Sequence, residues 1–233
     1  MNILIIAFTL LCMHNEAADY ELLGTRQYTY NEIGLKTEKI SFDAEGKLER
    51  KVIYSYDEKG HKIKTEKYTA MDSLMAVYEY QFNEKDKKAN SLKTDYIKGK
   101  KSNKIYAYNE RGQMIRSEYY AHGSLLKSVN YTYDEFGNQN KYEVKNAKGK
   151  QITLWITENK YNKKGLLSDK FKRDEKGNLV TEYHYDYNEK AQISTSFANY
   201  YSGKRPNSKR VYTYNAKGQK IGFKKFALRS AQL

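Results

Sequence analysis

One cysteine, one proline and one tryptophan among 233 residues remove several protein classes at once. The lone Cys12 allows no disulfide framework and no cysteine-based metal site. A single proline, Pro206, is far too few for a disordered linker, and an aromatic content of 14% argues the same way. Beyond the N-terminus no stretch approaches the 18 apolar residues of a membrane-spanning helix. Aliphatic side chains are scarce too: 39% of the chain is hydrophobic, but 24 of those residues are Tyr. These shortages predict an ordered fold with a thin, aromatic-rich interior. Acidic charge is also in deficit, with 28 Asp and Glu against 42 Lys and Arg, a formal net charge of +14. Such a field favours anionic partners.

The first residues form a short apolar run, Ile3 to Leu11, followed by Ala17 and Ala18. The run is too short to span a bilayer and has the form of a signal-peptide core with a small-residue cleavage point. The expected organisation is a signal peptide over 1–18 and one domain over 19–233, secreted or held in the cell envelope, with no membrane span in the mature chain. Cys12 lies inside the leader. A lipid anchor on it is the weaker reading, because Leu10 and Leu11 stand where a small residue is needed.

An internal repeat decides the fold class. An aromatic residue followed by Asn or Asp recurs at Tyr30, Tyr56, Phe82, Tyr108, Tyr133, Tyr161, Tyr187 and Tyr214, at steps of 25–28 residues. Three residues after each Asn or Asp comes Gly34, Gly60, Asp86, Gly112, Gly137, Gly165, Ala191 or Gly218. A second series falls between them: Gly46, Asp72, Gly99, Gly123, Gly149, Gly177 and Gly203. Asn or Asp opening a turn that a left-handed Gly closes is hairpin chemistry. The segments between alternate with period two, as in Leu48, Arg50, Val52, Tyr54 and Tyr56. Turns this short join antiparallel neighbours. The predicted fold is all-β: an antiparallel β-meander of about 26-residue repeats with two hairpin turns each, a single sheet curled or spiralled by strand twist.

The runs Tyr54-Ser55-Tyr56-Asp57-Glu58-Lys59-Gly60 and Tyr131-Thr132-Tyr133-Asp134-Glu135-Phe136-Gly137 resemble YD repeats of the RHS type. The resemblance spans 28 to 218. It implies a bacterial, exported or surface-associated β-repeat protein. Asn replaces Asp in most of the main turns. Eight units are too few to enclose a toxin, so the toxin-enclosing role of the long family members is not carried over.

Three features could carry function. A tyrosine ladder runs through Tyr28, Tyr54, Tyr80, Tyr106, Tyr131, Tyr185 and Tyr212, broken at Asn159. It reads first as an aromatic core, with Tyr28 and Tyr212, at the ends of the array, as candidate ligand-stacking positions. Trp155 is a third, at the longest turn spacing, where a bulge is the simpler account. Lys98, Lys100, Lys101, Lys104, Lys148, Lys150, Lys204 and Arg205 cluster at secondary turns and mark a candidate edge for an anionic polymer. His61, His122 and His184 occupy non-equivalent repeat positions, and no nucleophile, metal or phosphate motif is present. No enzyme, cofactor or metal site is expected. The function read from the sequence is an exported, non-catalytic scaffold or binding surface for cell-envelope or extracellular polysaccharide, or for a surface partner protein. The alternative is a structural element of a larger secreted or toxin-delivery assembly. Export makes nucleic acid the less favoured anion.

Overall fold

The computed structural model describes residues 20–201, 203 and 206–228. The expected signal peptide over 1–18, Cys12, and the basic pair Lys204 and Arg205 lie outside the described residues. The chain forms β1 (Tyr20–Tyr30), β2 (Lys36–Phe42), β3 (Leu48–Tyr56), β4 (Lys62–Thr69), β5 (Leu74–Phe82), β6 (Lys88–Asp95), β7 (Lys100–Tyr108) and β8 (Met114–Ala121). It continues through β9 (Ser124–Tyr133), β10 (Gln139–Asn146), β11 (Gln151–Tyr161), β12 (Leu167–Arg173), β13 (Leu179–Tyr187), β14 (Ile193–Tyr200), β15 (Ser208–Tyr214) and β16 (Lys220–Leu228). Each strand pairs antiparallel with the next, and β1 pairs with β16, so the sheet closes into a barrel.

The all-β meander matches the expectation; the curled or spiral open sheet does not. An open array would leave two rows of unpaired N–H and C=O groups on β1 and β16. Closure pairs them in a register that runs from Tyr20↔Leu228 to Gln27↔Gly222. Among the described residues, no strands other than hydrogen-bonded neighbours approach within 8 Å between Cα atoms. The barrel therefore encloses a lumen, as its strand number leads one to expect.

All fifteen turn residues that the repeat singles out have positive φ. The main turns share one geometry: the amide of Gly60 donates to the Asp57 carbonyl at 3.0 Å, and the Asp57 side chain accepts from the His61 amide at 2.8 Å. Ala191 sits at φ 57° where most repeats have Gly. Ala191→Gly should therefore stabilise the protein by about 0.5–1 kcal/mol, read as a raised urea midpoint.

In six of the eight repeats a tyrosine hydroxyl locks the repeat to the one before it. The hydroxyls of Tyr30, Tyr56, Tyr108, Tyr133, Tyr187 and Tyr214 donate to the carbonyls of Lys220, Lys36, Lys88, Met114, Leu167 and Ile193 at 2.6–3.0 Å. The Tyr30–Lys220 bond closes the ring across the seam. Phe82 has no hydroxyl to offer; its ring stacks on His61 at 4.6 Å. Phe82→Tyr should add the missing bond to the Lys62 carbonyl and stabilise by about 1 kcal/mol. An unchanged denaturation midpoint would show that the lock carries no energy at that position.

Small residues of the inner face form the buried layer. Val52 is 1% exposed, and Ser117 and Val129 are 0% exposed; Thr65, Ala76, Ser91, Val144, Thr157, Thr181, Ala198 and Ser208 are also buried. Inward-pointing Tyr and Lys side chains lie over this layer. Tyr54, Tyr106 and Tyr131 are half-buried, not the fully buried core that the ladder suggested.

Candidate binding site: the lumen wall

Strand alternation places the tyrosine columns on the concave face, and the register brings lysines onto the same face. Lys36, Lys62, Lys88 and Lys220 each fall two residues after a main-turn residue. Lys62 Nζ lies 5.1 and 5.3 Å from the Tyr54 and Tyr80 ring centres, and Lys88 Nζ lies 4.1 and 5.8 Å from those of Tyr80 and Tyr106. Lys220 Nζ reaches Tyr212 and Tyr28 at 5.1 and 6.0 Å, and Lys36 Nζ lies 3.9 Å from Tyr28. Rings and ammonium groups thus alternate along an arc of wall from β15 through the seam to β7. Cation–π contact holds each ammonium on the inner wall.

Further cations point inward beside this arc. Arg26 and Arg210 flank the Phe223 ring at 5.1 and 5.8 Å, and Lys39, Arg50 and Lys67 lie close enough to repel one another. Burial first, and then neighbouring cations, pushes the ammonium groups of Lys36, Lys39 and Lys88 below their ordinary pKa. Along the strands this face carries only two carboxylates among the described residues, Glu21 and Asp95, and Asp95 is paired with Lys93 at 2.6 Å. The Arg210 Nε is buried without a hydrogen-bond partner.

The outer face is different. It carries ion pairs within the strands, Lys64–Glu66 at 2.8 Å, Arg116–Glu118 at 2.8 Å and Lys145–Glu143 at 3.3 Å. His184 there lies between Asp169 and Asp186 at 2.8 and 3.2 Å. Exposed aliphatics such as Ile63, Leu92, Ile105 and Val211 are interspersed with these charges. A membrane-spanning barrel needs a continuous outward apolar band about 25 Å tall, and this wall is interrupted by charge.

The sequence-derived positions are redistributed by closure. Tyr28 and Tyr212 are not ends of an array. They face each other across the seam, where burial raises the Tyr28 phenol and the neighbouring Tyr212 adds to the effect. Lys98, Lys148 and Lys150 do lie at the secondary-turn rim, with their amides bound to Asp95 or Asn146 side chains at 3.0 Å. Lys100 and Lys101 open β7 at that rim. Lys104 does not belong to the edge: it points into the lumen, 4.8 and 4.6 Å from the Tyr106 and Tyr119 rings. The bulge of this segment falls at Ile152, between Gln151 and Thr153, and not at Trp155. Trp155 pairs in register with Tyr142, points inward, and has Lys172 Nζ 4.0 Å from its ring centre. Phe42, Tyr68 and Phe171 turn outward. Tyr68 meets Lys51 on that face at 5.1 Å. The inner lysines were missed because lysine reads as an outer-face residue. The signal was present in the 26-residue step from Lys36 to Lys62 to Lys88.

The three histidines stay in separate neighbourhoods. His61 lies in a main turn, 3.0 Å from Asp57, while His122 has φ 50° in a secondary turn. Among the described residues, no group of three or more His, Cys, Asp and Glu is arranged to hold a metal ion.

The crowded phenols make the barrel alkali-sensitive. Burial first, and then neighbouring phenols, raise Tyr185 to about 12. Burial and the hydrogen bond to Asp134, at 2.7 Å, raise Tyr161 to about 12. A phenol whose folded pKa is raised stabilises the fold fully below its unfolded pKa of about 10. That contribution disappears as pH climbs through the folded value. The urea midpoint should thus fall steeply between pH 10 and about 12. A midpoint flat across that window would contradict the burial of these rings.

No family model and no curated protein matches the chain. Among solved structures it is similar to a Photorhabdus luminescens Tc holotoxin pore, at 12% identity and a TM-score of 0.33. That likeness covers 84% of this chain but 13% of the other, so the chain spans a small part of that protein. It is also similar to porin-like proteins from Bacteroides uniformis, at 10% identity over 88% of this chain and 96% of the other with a TM-score of 0.49, and from Bacteroides vulgatus, at 12% identity over 91% and 99% with a TM-score of 0.44. Likenesses this distant carry no argument about activity.

Proposed function

We propose that the protein is an exported, non-catalytic binding barrel whose lumen takes an acidic polysaccharide. One observation carries the reading: tyrosine rings and ammonium groups alternate along the inner wall from β15 to β7. Rings offer faces to sugar rings, and cations attract carboxylates or sulfates. A wall of one sign with low-dielectric backing concentrates the opposite charge. The turn edge favoured by the sequence is the lesser candidate, because its lysines are solvated and dispersed.

Calorimetric titration with polygalacturonate, a neutral glucan and single-stranded DNA tests this. Polygalacturonate should bind, weaken as salt rises, and lose about tenfold in affinity when Lys62 and Lys88 are both changed to Gln. Equal, salt-insensitive binding of the neutral glucan would leave the rings as the only determinant. Preference for DNA would replace the glycan reading. Binding of none of the three would favour a purely structural element of a larger secreted assembly.

A further inference from the structure

The eightfold repeat breaks at one place on the inner wall. Four residues before the first-column tyrosine, the chain has Gly24, Arg50, Ala76, Ser102, Lys127, Thr181 and Ser208, but Trp155 in the remaining repeat. In that repeat the column residue itself is Asn159. Across the adjoining hairpin stands Tyr142, paired with both Tyr131 and Trp155, where three other repeats have Ser at the equivalent position: Ser91, Ser117 and Ser196. Tyr142 leans edge-on against Tyr131 at 5.6 Å. Aromatic surface has therefore moved four residues along β11, about 13 Å, toward the secondary-turn rim.

Beside the exchange lies a hollow of about 380 Å³, bordered by Tyr142, Trp155, Tyr183 and Tyr185, with Lys170 and Lys172 among its walls and Thr157 also lining it. That volume falls in the range of small-molecule sites, about 300–1,000 Å³. The substitution carries a cost. Asn159 donates to Asp134 Oδ2 at 2.8 Å, but its own Oδ1 is buried and accepts nothing. Tyr161 gives up the carbonyl lock of the other repeats and donates to Asp134 at 2.7 Å instead. Asn159 is paired with Lys170 across β11 and β12, so the orphan acceptor lies beside the cationic wall.

We propose that this hollow is a subsite for a single acidic sugar residue, its ring stacked on the Trp155 indole and its carboxylate held by Lys170 and Lys172. The inference rests on the reading of the lumen as an acidic-glycan surface and deepens it by naming the residue-level determinant. Indole faces suit the C–H faces of sugar rings, and the two ammonium groups select the charged sugar over its neutral counterpart.

Trp155 is the only tryptophan in the chain, so its fluorescence reports on this hollow alone. Titration of the full chain with galacturonate trimers should change the indole emission saturably, and neutral galactose trimers should need at least about tenfold higher concentration. Lys170→Gln should weaken the trimer by a similar factor, whereas Lys64→Gln, on the outer face beside Glu66, should leave the emission response unchanged. Trp155→Phe keeps a ring in place and guards against a folding defect; it should weaken polygalacturonate binding by calorimetry without lowering the urea midpoint. Polygalacturonate binding that leaves the indole emission unchanged and is insensitive to Trp155→Phe would overturn the subsite while sparing the lumen reading. A stronger emission response to a nucleoside monophosphate than to the trimer would overturn it in favour of a nucleotide. Absence of any polygalacturonate binding would remove both.

Discussion

Gly222→Ala should cost more stability than a Gly-to-Ala change at an unobstructed turn. A Cβ at Gly222 would press on the backbone carbonyl oxygen of Arg26 across the β1–β16 seam, well inside van der Waals contact. Backbone is not a flexible neighbour, so the strands must separate or slip. Overpacking of this kind costs about 1–3 kcal/mol, and the seam should sit at the upper end because the obstructing atom is backbone inside the β1–β16 ladder. Gly24 repeats the constraint one strand over: its φ is +145°, and an added Cβ would meet the Phe42 carbonyl. Gly46→Ala is the control. Nothing lies within 4 Å of a Cβ there, so the substitution bears only the left-handed penalty of its φ of +82°, about 1–2 kcal/mol. Urea midpoints of the three variants decide the matter. Equal midpoints for Gly222→Ala and Gly46→Ala would mean that the barrel is not held shut at this line.

The seam also shows what the sequence could and could not disclose. Turns were legible because a left-handed residue admits few side chains, and the repeat set Gly or Asp at nearly every one; even Ala191 adopts the positive φ that its register demanded. Strand direction followed from turn length. Closure was not legible as a pattern, because β1 and β16 are separated by the whole repeat array and no local signal pairs them. Yet twelve of the fourteen glycines occupy turn positions, and the two that do not, Gly24 and Gly222, both lie at the seam. A glycine inside a strand marks close backbone approach. The candidate site was half legible. Period two assigned the tyrosines to one face correctly, but a two-for-one bulge after each main turn shifts the count by one. Lys62 pairs opposite Tyr56 after such a shift, and so enters the lumen with the tyrosines.

Tyr106→Ala should lower stability by about 2 kcal/mol, short of the 3–5 kcal/mol of a fully buried aromatic truncation. The lumen explains the intermediate value. One face of the ring covers the buried layer: its hydroxyl shares a hydrogen bond with Ser91 at 3.0 Å, and it stands opposite Ser117, which has no solvent exposure. Lys104 and Lys88 rest against the ring at 4.8 and 5.8 Å. The other face looks into the enclosed space. Truncation therefore removes half of a core contact and uncovers the polar layer beneath it. Tyr106→Phe keeps the ring and loses only the hydroxyl bond, about 1 kcal/mol. The same pair of variants separates the two roles of the ladder. If rings stack on a bound glycan, Tyr106→Ala weakens polygalacturonate binding while Tyr106→Phe leaves it nearly unchanged, because the ring face is retained. If the rings serve only as a cover, affinity follows the urea midpoint and falls only where the protein unfolds. An unchanged midpoint for Tyr106→Ala would show that the ring covers nothing, and the lumen wall would have to be redrawn with its tyrosines free in solvent.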